Sequence, residues 1–144
     1  MSPSNGWLLD TNILCELRRA RPEPKVVRFV EQCPPGSVFI STVTLAEFRF
    51  GIETVKEPEY RLRLNEWFEA NVRLRFEHAT LPISENILYR WRLLVEQGRR
   101  VGHTFSQPDL FLAATALENN LILVTRNVKD FVELDLEVLN PWIQ

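Results

Sequence analysis

Short apolar runs alternate along this chain with stretches in which apolar residues recur every three or four positions. The runs Trp7-Leu8-Leu9, Val38-Phe39-Ile40, Leu121 to Val124 and Glu137 to Leu139 read as strands, with a weaker one over Ala79 to Ile83. Helices are expected from Thr11 or Asn12 to Arg19, from Lys25 to Cys33 and from Val43 to Val55. Others are expected from Glu59 to Phe76, from Ser84 to Gln97 and from Ser106 to Leu117. Arg-Pro-Glu-Pro at 21–24 and Pro-Pro-Gly at 34–36 mark breaks, and Gly98 to Thr104 reads as a polar, Arg-rich loop. Strands alternating with helices predict an α/β fold, a central parallel sheet of four to five short strands with helices on both faces. No repeat or linker divides the chain, so residues 1–144 are expected to form a single domain.

Composition changes this picture little. A net charge of -2 gives no whole-molecule attraction to nucleic acid, so such binding would need a local basic patch. Of the 17 basic residues only Lys25, Lys56 and Lys129 are lysine; the arginines suit phosphate and carboxylate partners, although genome composition explains the bias as well. Cys15 and Cys33 lack metal-site spacing and sit among apolar residues, so buried free thiols in a reducing compartment are expected. The N-terminus does not read as a signal peptide, and no apolar run approaches the roughly 20 residues of a membrane span. A cytoplasmic protein without membrane association is the expectation.

The candidate chemistry is carboxylate chemistry. In open α/β sheets, ligands bind beyond the carboxyl ends of the strands. Asp10 follows the first strand, Glu47 lies in the helix after the second, and Asp109 opens the helix leading into the strand at 121. Each has a structural reading too. Asp10 suits a helix N-cap, and Asp109 a capping box with Ser106. Glu47 has Val43 and Phe50 on its side of the helix, with Leu45, Ala46, Phe48 and Ile52 adjoining; that company predicts a buried carboxylate that must be paired or protonated or bind a metal, the other reading being a Glu at the solvated edge of the stripe. A carboxylate cluster suits a hard divalent ion such as Mg²⁺ or Mn²⁺. Phosphate-loop, zinc-protease and nucleophile-elbow motifs are absent. His78 and His103 read as surface or loop residues. Trp67, Phe68 and Trp91 fit apolar helical stripes, hence core or dimer interface.

Five motifs occur in order: Leu-Leu-Asp-Thr-Asn at 8–12, Thr-Leu-Ala-Glu-Phe-Arg-Phe-Gly at 44–51, Pro-Asp-Leu-Phe-Leu-Ala-Ala-Thr-Ala at 108–116, Leu-Val-Thr-Arg-Asn-Val-Lys-Asp-Phe at 123–131 and Asn-Pro-Trp at 140–142. Together they resemble the PIN-domain toxins of the VapC type, in particular the FitB-like subgroup ending in Asn-Pro-Trp. The resemblance implies a PIN-like three-layer fold and an Mg²⁺- or Mn²⁺-dependent endoribonuclease, the toxin of a type II toxin–antitoxin system. It also implies a homodimer, inhibited by a cognate antitoxin of VapB or FitA type, through which a larger complex binds operator DNA. By motif position Asp10, Glu47 and Asp109 correspond to the catalytic and metal-holding acids, with Thr11, Asn12 and Thr125 as supporting polar groups. Asn127 stands where such proteins often carry a fourth acid. It is expected to support the site without charge, and Asp130 to be structural.

Three further readings stay open. Arg99, Arg100 and His103 either hold the RNA backbone or form a solvated loop. The chain could instead be a weakly active or inactive module of the same fold whose main role is antitoxin binding. A phosphatase of the haloacid dehalogenase type also begins with an Asp after its first strand, but needs a second acid where Asn12 stands.

Overall fold

The computed structural model describes residues 4–143. Five strands form one sheet: β1 (Trp7–Leu9), β2 (Val38–Ser41), β3 (Thr80–Leu81), β4 (Ile122–Val124) and β5 (Val138–Leu139). Their order is β3-β2-β1-β4-β5 and every pairing is parallel. Among the described residues six α-helices supply the crossovers up to β4, namely α1 (Thr11–Arg18), α2 (Pro24–Gln32), α3 (Thr42–Glu53), α4 (Pro58–Phe68), α5 (Glu85–Arg100) and α6 (Gln107–Asn119), while a 3₁₀ turn lies between β4 and β5.

The strand residues divide between two cores because successive side chains point to opposite faces. Leu8 and Leu123 join a cluster with Leu94, Leu110, Ala113 and Phe131 under α5 and α6. Leu9, Ile40 and Val124 join Ile13, Val26, Ile52, Phe68 and Val72 from α1 to α4. This is the expected three-layer α/β arrangement, with five strands.

Two helix boundaries differ from expectation. The stripe from Glu59 to Phe76 is not one α-helix: α4 stops at Phe68 and a wider π turn (Glu69–Arg73) follows, closed by Leu74 N–H to Glu69 O at 2.9 Å. Apolar spacing alone does not register one extra residue in a turn. The Arg-rich stretch from Gly98 is not wholly loop either, since α5 runs on to Arg100. Gly98 is buried, and a Cβ there would lie 2.8 Å from the His103 carbonyl oxygen, so the chain after the helix folds back onto it. The cysteines also depart from expectation. Cys15 is exposed on the outer side of α1, and Cys33 is half-buried at the end of α2.

The connections leave β1 on one side toward β2 and β3, and on the other β1 is flanked by β4. The order in which strands are added therefore reverses at the β1–β4 seam, the place where open α/β sheets form a crevice. Asp10 and Thr125 are the first residues beyond these two strands.

Candidate active site

Asp10 ends β1 and caps α1. Its backbone is extended, its amide is bonded to Val124 O at 2.9 Å, and its Oδ1 accepts the Thr11 N–H at 2.6 Å. The capping reading of the sequence is therefore correct, and the same side chain faces a site. Its Oδ2 accepts the Thr125 hydroxyl at 2.8 Å, with the Asn12 amide at 3.4 Å. Only 7% of Asp10 is exposed.

Thr125 is fully buried and its hydrogen bonds are complete. A hydroxyl has one proton to donate and two lone pairs. Asn12 Nδ2 at 3.1 Å and the Asn127 N–H at 3.1 Å take the lone pairs, which leaves the proton for Asp10. Asn12 is itself held, since its Oδ1 accepts the Arg126 N–H at 3.2 Å. Thr11, Asn12 and Thr125 thus all gather around Asp10.

Asp109 lies in the first turn of α6, where an acid is favoured by the free N–H groups of the helix end. That helix runs toward the start of β4, so its N-terminus lies at the same carboxyl edge as Asp10. Ser106 caps it, its Oγ accepting the Asp109 N–H at 3.3 Å. Burial pushes the Asp10 carboxyl above its ordinary range, against the opposing hydrogen bonds from Thr125 and Thr11; the Asp109 and Asp130 charges add to the rise. Asp109 is raised too, first by burial and then by the Asp130 charge, with Ser106 opposing. No Lys, Arg or His forms an ion pair with these three acids among the described residues.

Asp130 was expected to be structural. The structure places it within electrostatic range of both Asp10 and Asp109. A single 3₁₀ turn (Val128–Phe131) brings it there, closed by Asp130 N–H to Asn127 O at 3.0 Å and anchored by the buried Phe131 ring. Asn127 is exposed at the start of that turn and its side chain makes no cap.

Glu47 departs from expectation. It is exposed, not buried. Apolar residues surround α3, so the sequence does not say which stripe faces inward. The structure buries Thr44 and Ile52 and turns Phe50 out to 72% exposure. Glu47 shares the outer side with Phe50, and it is not among the charges that act on Asp10 or Asp109. One turn before it, the buried Thr44 hydroxyl has no hydrogen-bond partner among the described residues. Likewise, among these residues no three His, Cys, Asp or Glu side chains converge closely enough to hold one ion. Asp10 and Asp109 still fit a hard cation: their donors are oxygen, burial resists their ionisation, and no protein cation pairs with them. Mg²⁺ suits such a pair because it keeps several waters and takes few protein carboxylates.

Arg99 and Arg100 end α5 and are exposed; Arg99 reaches Glu96 at 3.7 Å. Arg99 and His103 line a cavity of about 310 Å³ together with Gln107, two residues before Asp109. His78 and His103 are exposed, as expected. Phe68 is core; Trp67 is partly buried against Phe48, and Trp91 stacks on Phe111.

The model of the PIN domain matches residues 7–136 of this sequence. The chain belongs to the PIN-domain family. Its relatives include toxin FitB of Neisseria gonorrhoeae, 29% identical over 94% of this chain and 97% of that protein. The VapC ribonuclease Y4jK of Sinorhizobium fredii is 27% identical, covering 94% of this chain and 96% of its own. Among solved structures, FitAcB of Neisseria gonorrhoeae superposes with a TM-score of 0.87 at 28% identity, over 96% of this chain and 99% of that one. This PIN domain therefore stands with the FitB and VapC toxins over nearly its whole length. No helix among its described residues is long and apolar enough to cross a membrane.

Sequence reasoning missed the contact between Arg126 and the Asn-Pro-Trp end. Arg126 lies between two residues already singled out, and its guanidinium sits 5.0 Å from the centre of the Trp142 ring. The signal was present in both motifs, but nothing in sequence spacing joins position 126 to position 142.

Proposed function

We propose that this PIN domain is the toxin of a type II toxin–antitoxin system, an endoribonuclease that hydrolyses RNA phosphodiester bonds with Mg²⁺ or Mn²⁺. The observation that carries the reading is the buried Asp10 carboxylate at the sheet's reversal point. It is oriented by Thr125 and Asn12, lies in the field of Asp109 and Asp130, and among the described residues forms no ion pair with a protein cation. Full-length likeness to FitB and to a VapC ribonuclease supports the same chemistry.

Asp10 and Asp109 are the residues that would hold the metal. When bound, the metal would activate water and stabilise negative charge on the phosphoryl oxygens. Thr125 and Asn12 keep one Asp10 oxygen in place, while Thr11 holds the other. Asp130 adds a third negative charge at the rim, where Asn127 adds none. Glu47, expected as the third acid, faces solvent on α3 and is given no part in holding the metal. Arg99 and Arg100 are the cations assigned to the RNA backbone.

The partners follow from the relatives. A toxin-antitoxin complex from Klebsiella pneumoniae superposes with a TM-score of 0.69 at 28% identity, and FitAB was solved bound to a DNA fragment, at a TM-score of 0.85 and 28% identity. This chain is accordingly assigned a small antitoxin of VapB or FitA type, a homodimeric state and, through the antitoxin, operator DNA.

The test is cleavage of total RNA by antitoxin-free protein. Cleavage should require Mg²⁺ or Mn²⁺, stop with chelator, and fall about 100-fold or more in Asp10→Asn with the circular dichroism spectrum unchanged. Undiminished cleavage by Asp10→Asn overturns the site assignment. A wild-type protein that binds its antitoxin but cleaves nothing would instead leave an antitoxin-binding module, the reading that the exposed Glu47 and neutral Asn127 favour.

A further inference from the structure

The last residue of β5 and the chain after it touch two consecutive residues of the β4 turn three times. Leu139 O accepts the Thr125 N–H at 3.0 Å. Asn140 Nδ2 donates to Arg126 O at 3.4 Å. The Trp142 ring lies against the Arg126 guanidinium. Asn140 is a two-way brace, because its Oδ1 accepts the Trp142 N–H at 2.9 Å and so its amide cannot turn over. On its other side Trp142 reaches the buried Glu16 carboxylate. Glu16 accepts the Glu23 N–H at 2.9 Å and pairs with Arg19 at 3.2 Å; the Glu23 amide above all holds its carboxyl below the ordinary range. The segment is thus tied to α1, the helix that Asp10 caps, and to the turn that carries Thr125.

The turn passes this constraint inward. Arg126 N–H fixes Asn12 Oδ1, so Asn12 presents Nδ2 to Thr125 Oγ1 and Asp10. With both Thr125 lone pairs filled, the Thr125 proton has only Asp10 to address. Arg126 has no carboxylate partner among the described residues, so the Trp142 face is its one side-chain anchor.

We propose that Asn140-Pro141-Trp142 is a positioning element for the reaction: it braces the Arg126 turn and thereby fixes the Asn12–Thr125 pair that orients the Asp10 carboxylate. The proposal rests on the nuclease reading above for its catalytic consequence, but not for its geometry. Groups that orient a metal ligand typically change affinity or rate by about 10–100-fold when removed.

The experiment compares full-length wild type with Asn140→Ala, Trp142→Ala and Trp142→Phe. Mn²⁺ affinity is read by electron paramagnetic resonance without RNA, kcat and KM on RNA, and the Asn12 side-chain amide by NMR. Asn140→Ala and Trp142→Ala should each lose about tenfold in Mn²⁺ affinity and in kcat, with KM within about twofold and the Asn12 amide shifted. Trp142→Phe keeps an aromatic face for Arg126 and should retain most of both. Unchanged Mn²⁺ affinity and an unmoved Asn12 amide in Asn140→Ala overturn the proposal. So does a loss confined to KM, which would make Arg126 an RNA contact, or a loss that only tracks the unfolded fraction. If wild type cleaves no RNA, the nuclease reading fails, and the Asn12 amide still decides the brace.

Discussion

At the scale of residues, the site turns on which atoms carry protons and charge. Asn127 and Asp130 belong to one 3₁₀ turn but differ in what they bring to Asp10. Asn127 donates its backbone N–H to Thr125 and leaves its side chain outside. Asp130 adds a negative charge that raises both Asp10 and Asp109. Asp130→Asn should therefore weaken Mn²⁺ binding about tenfold, and Asn127→Ala by less than about twofold. A calorimetric titration of the two variants checks this; the reverse order would return Asp130 to a structural role. In the sequence Asn127 occupied the motif position and Asp130 looked like a turn residue; the structure adds the Asp130 charge to the field of Asp10 and Asp109.

At the scale of elements, α5 shows packing overriding propensity. Gly in a helix interior costs roughly 1 kcal/mol relative to Ala, so Gly98→Ala would be expected to stabilise an isolated helix. Here the added Cβ would meet the His103 carbonyl at 2.8 Å and the Phe105 ring at 3.3 Å. The substitution should instead destabilise by about 1–3 kcal/mol, the usual cost of overpacking, read from urea unfolding. A rise in stability would mean that the 101–105 segment is not held against α5. The α3 helix carries the opposite lesson. Its apolar residues do not form one stripe, so its outward face, with Glu47 and Phe50, was not legible until α3 was docked on the sheet.

At the scale of the molecule, the sheet order brings residues 10, 109, 125 and 130 to one edge, and their burial couples the site to pH. Asp10 and Asp109 are raised above the ordinary carboxylate value of 3.8. In the metal-free protein each therefore binds its proton more tightly folded than unfolded. Their ionisation costs stability that is untouched below the unfolded value and lost as pH rises through the raised folded one. A divalent ion that needs both carboxylates ionised reverses the trend. The rise in Tm given by Mn²⁺ should grow with pH across the window from 3.8 up through the raised values, and Asp10→Asn should abolish most of it. Differential scanning calorimetry at several pH values tests this; a pH-independent Mn²⁺ shift would place the ion elsewhere.

The sequence by itself determined the layered architecture, because two-residue and three-to-four-residue periods are local and survive any packing. It also marked Asp10 and Asp109, because a strand end or a helix start is itself a local event, whereas Asn12 and Thr125 were marked only through the family motifs. Only the tertiary structure decided the rest. Whether Glu47 is buried depends on how α3 rotates against the sheet. Whether Asp130 faces the site depends on one short turn. The union of Arg126 with Trp142 depends on β5 lying beside β4. Each is a relation between segments brought together by folding, and no spacing along the chain encodes it.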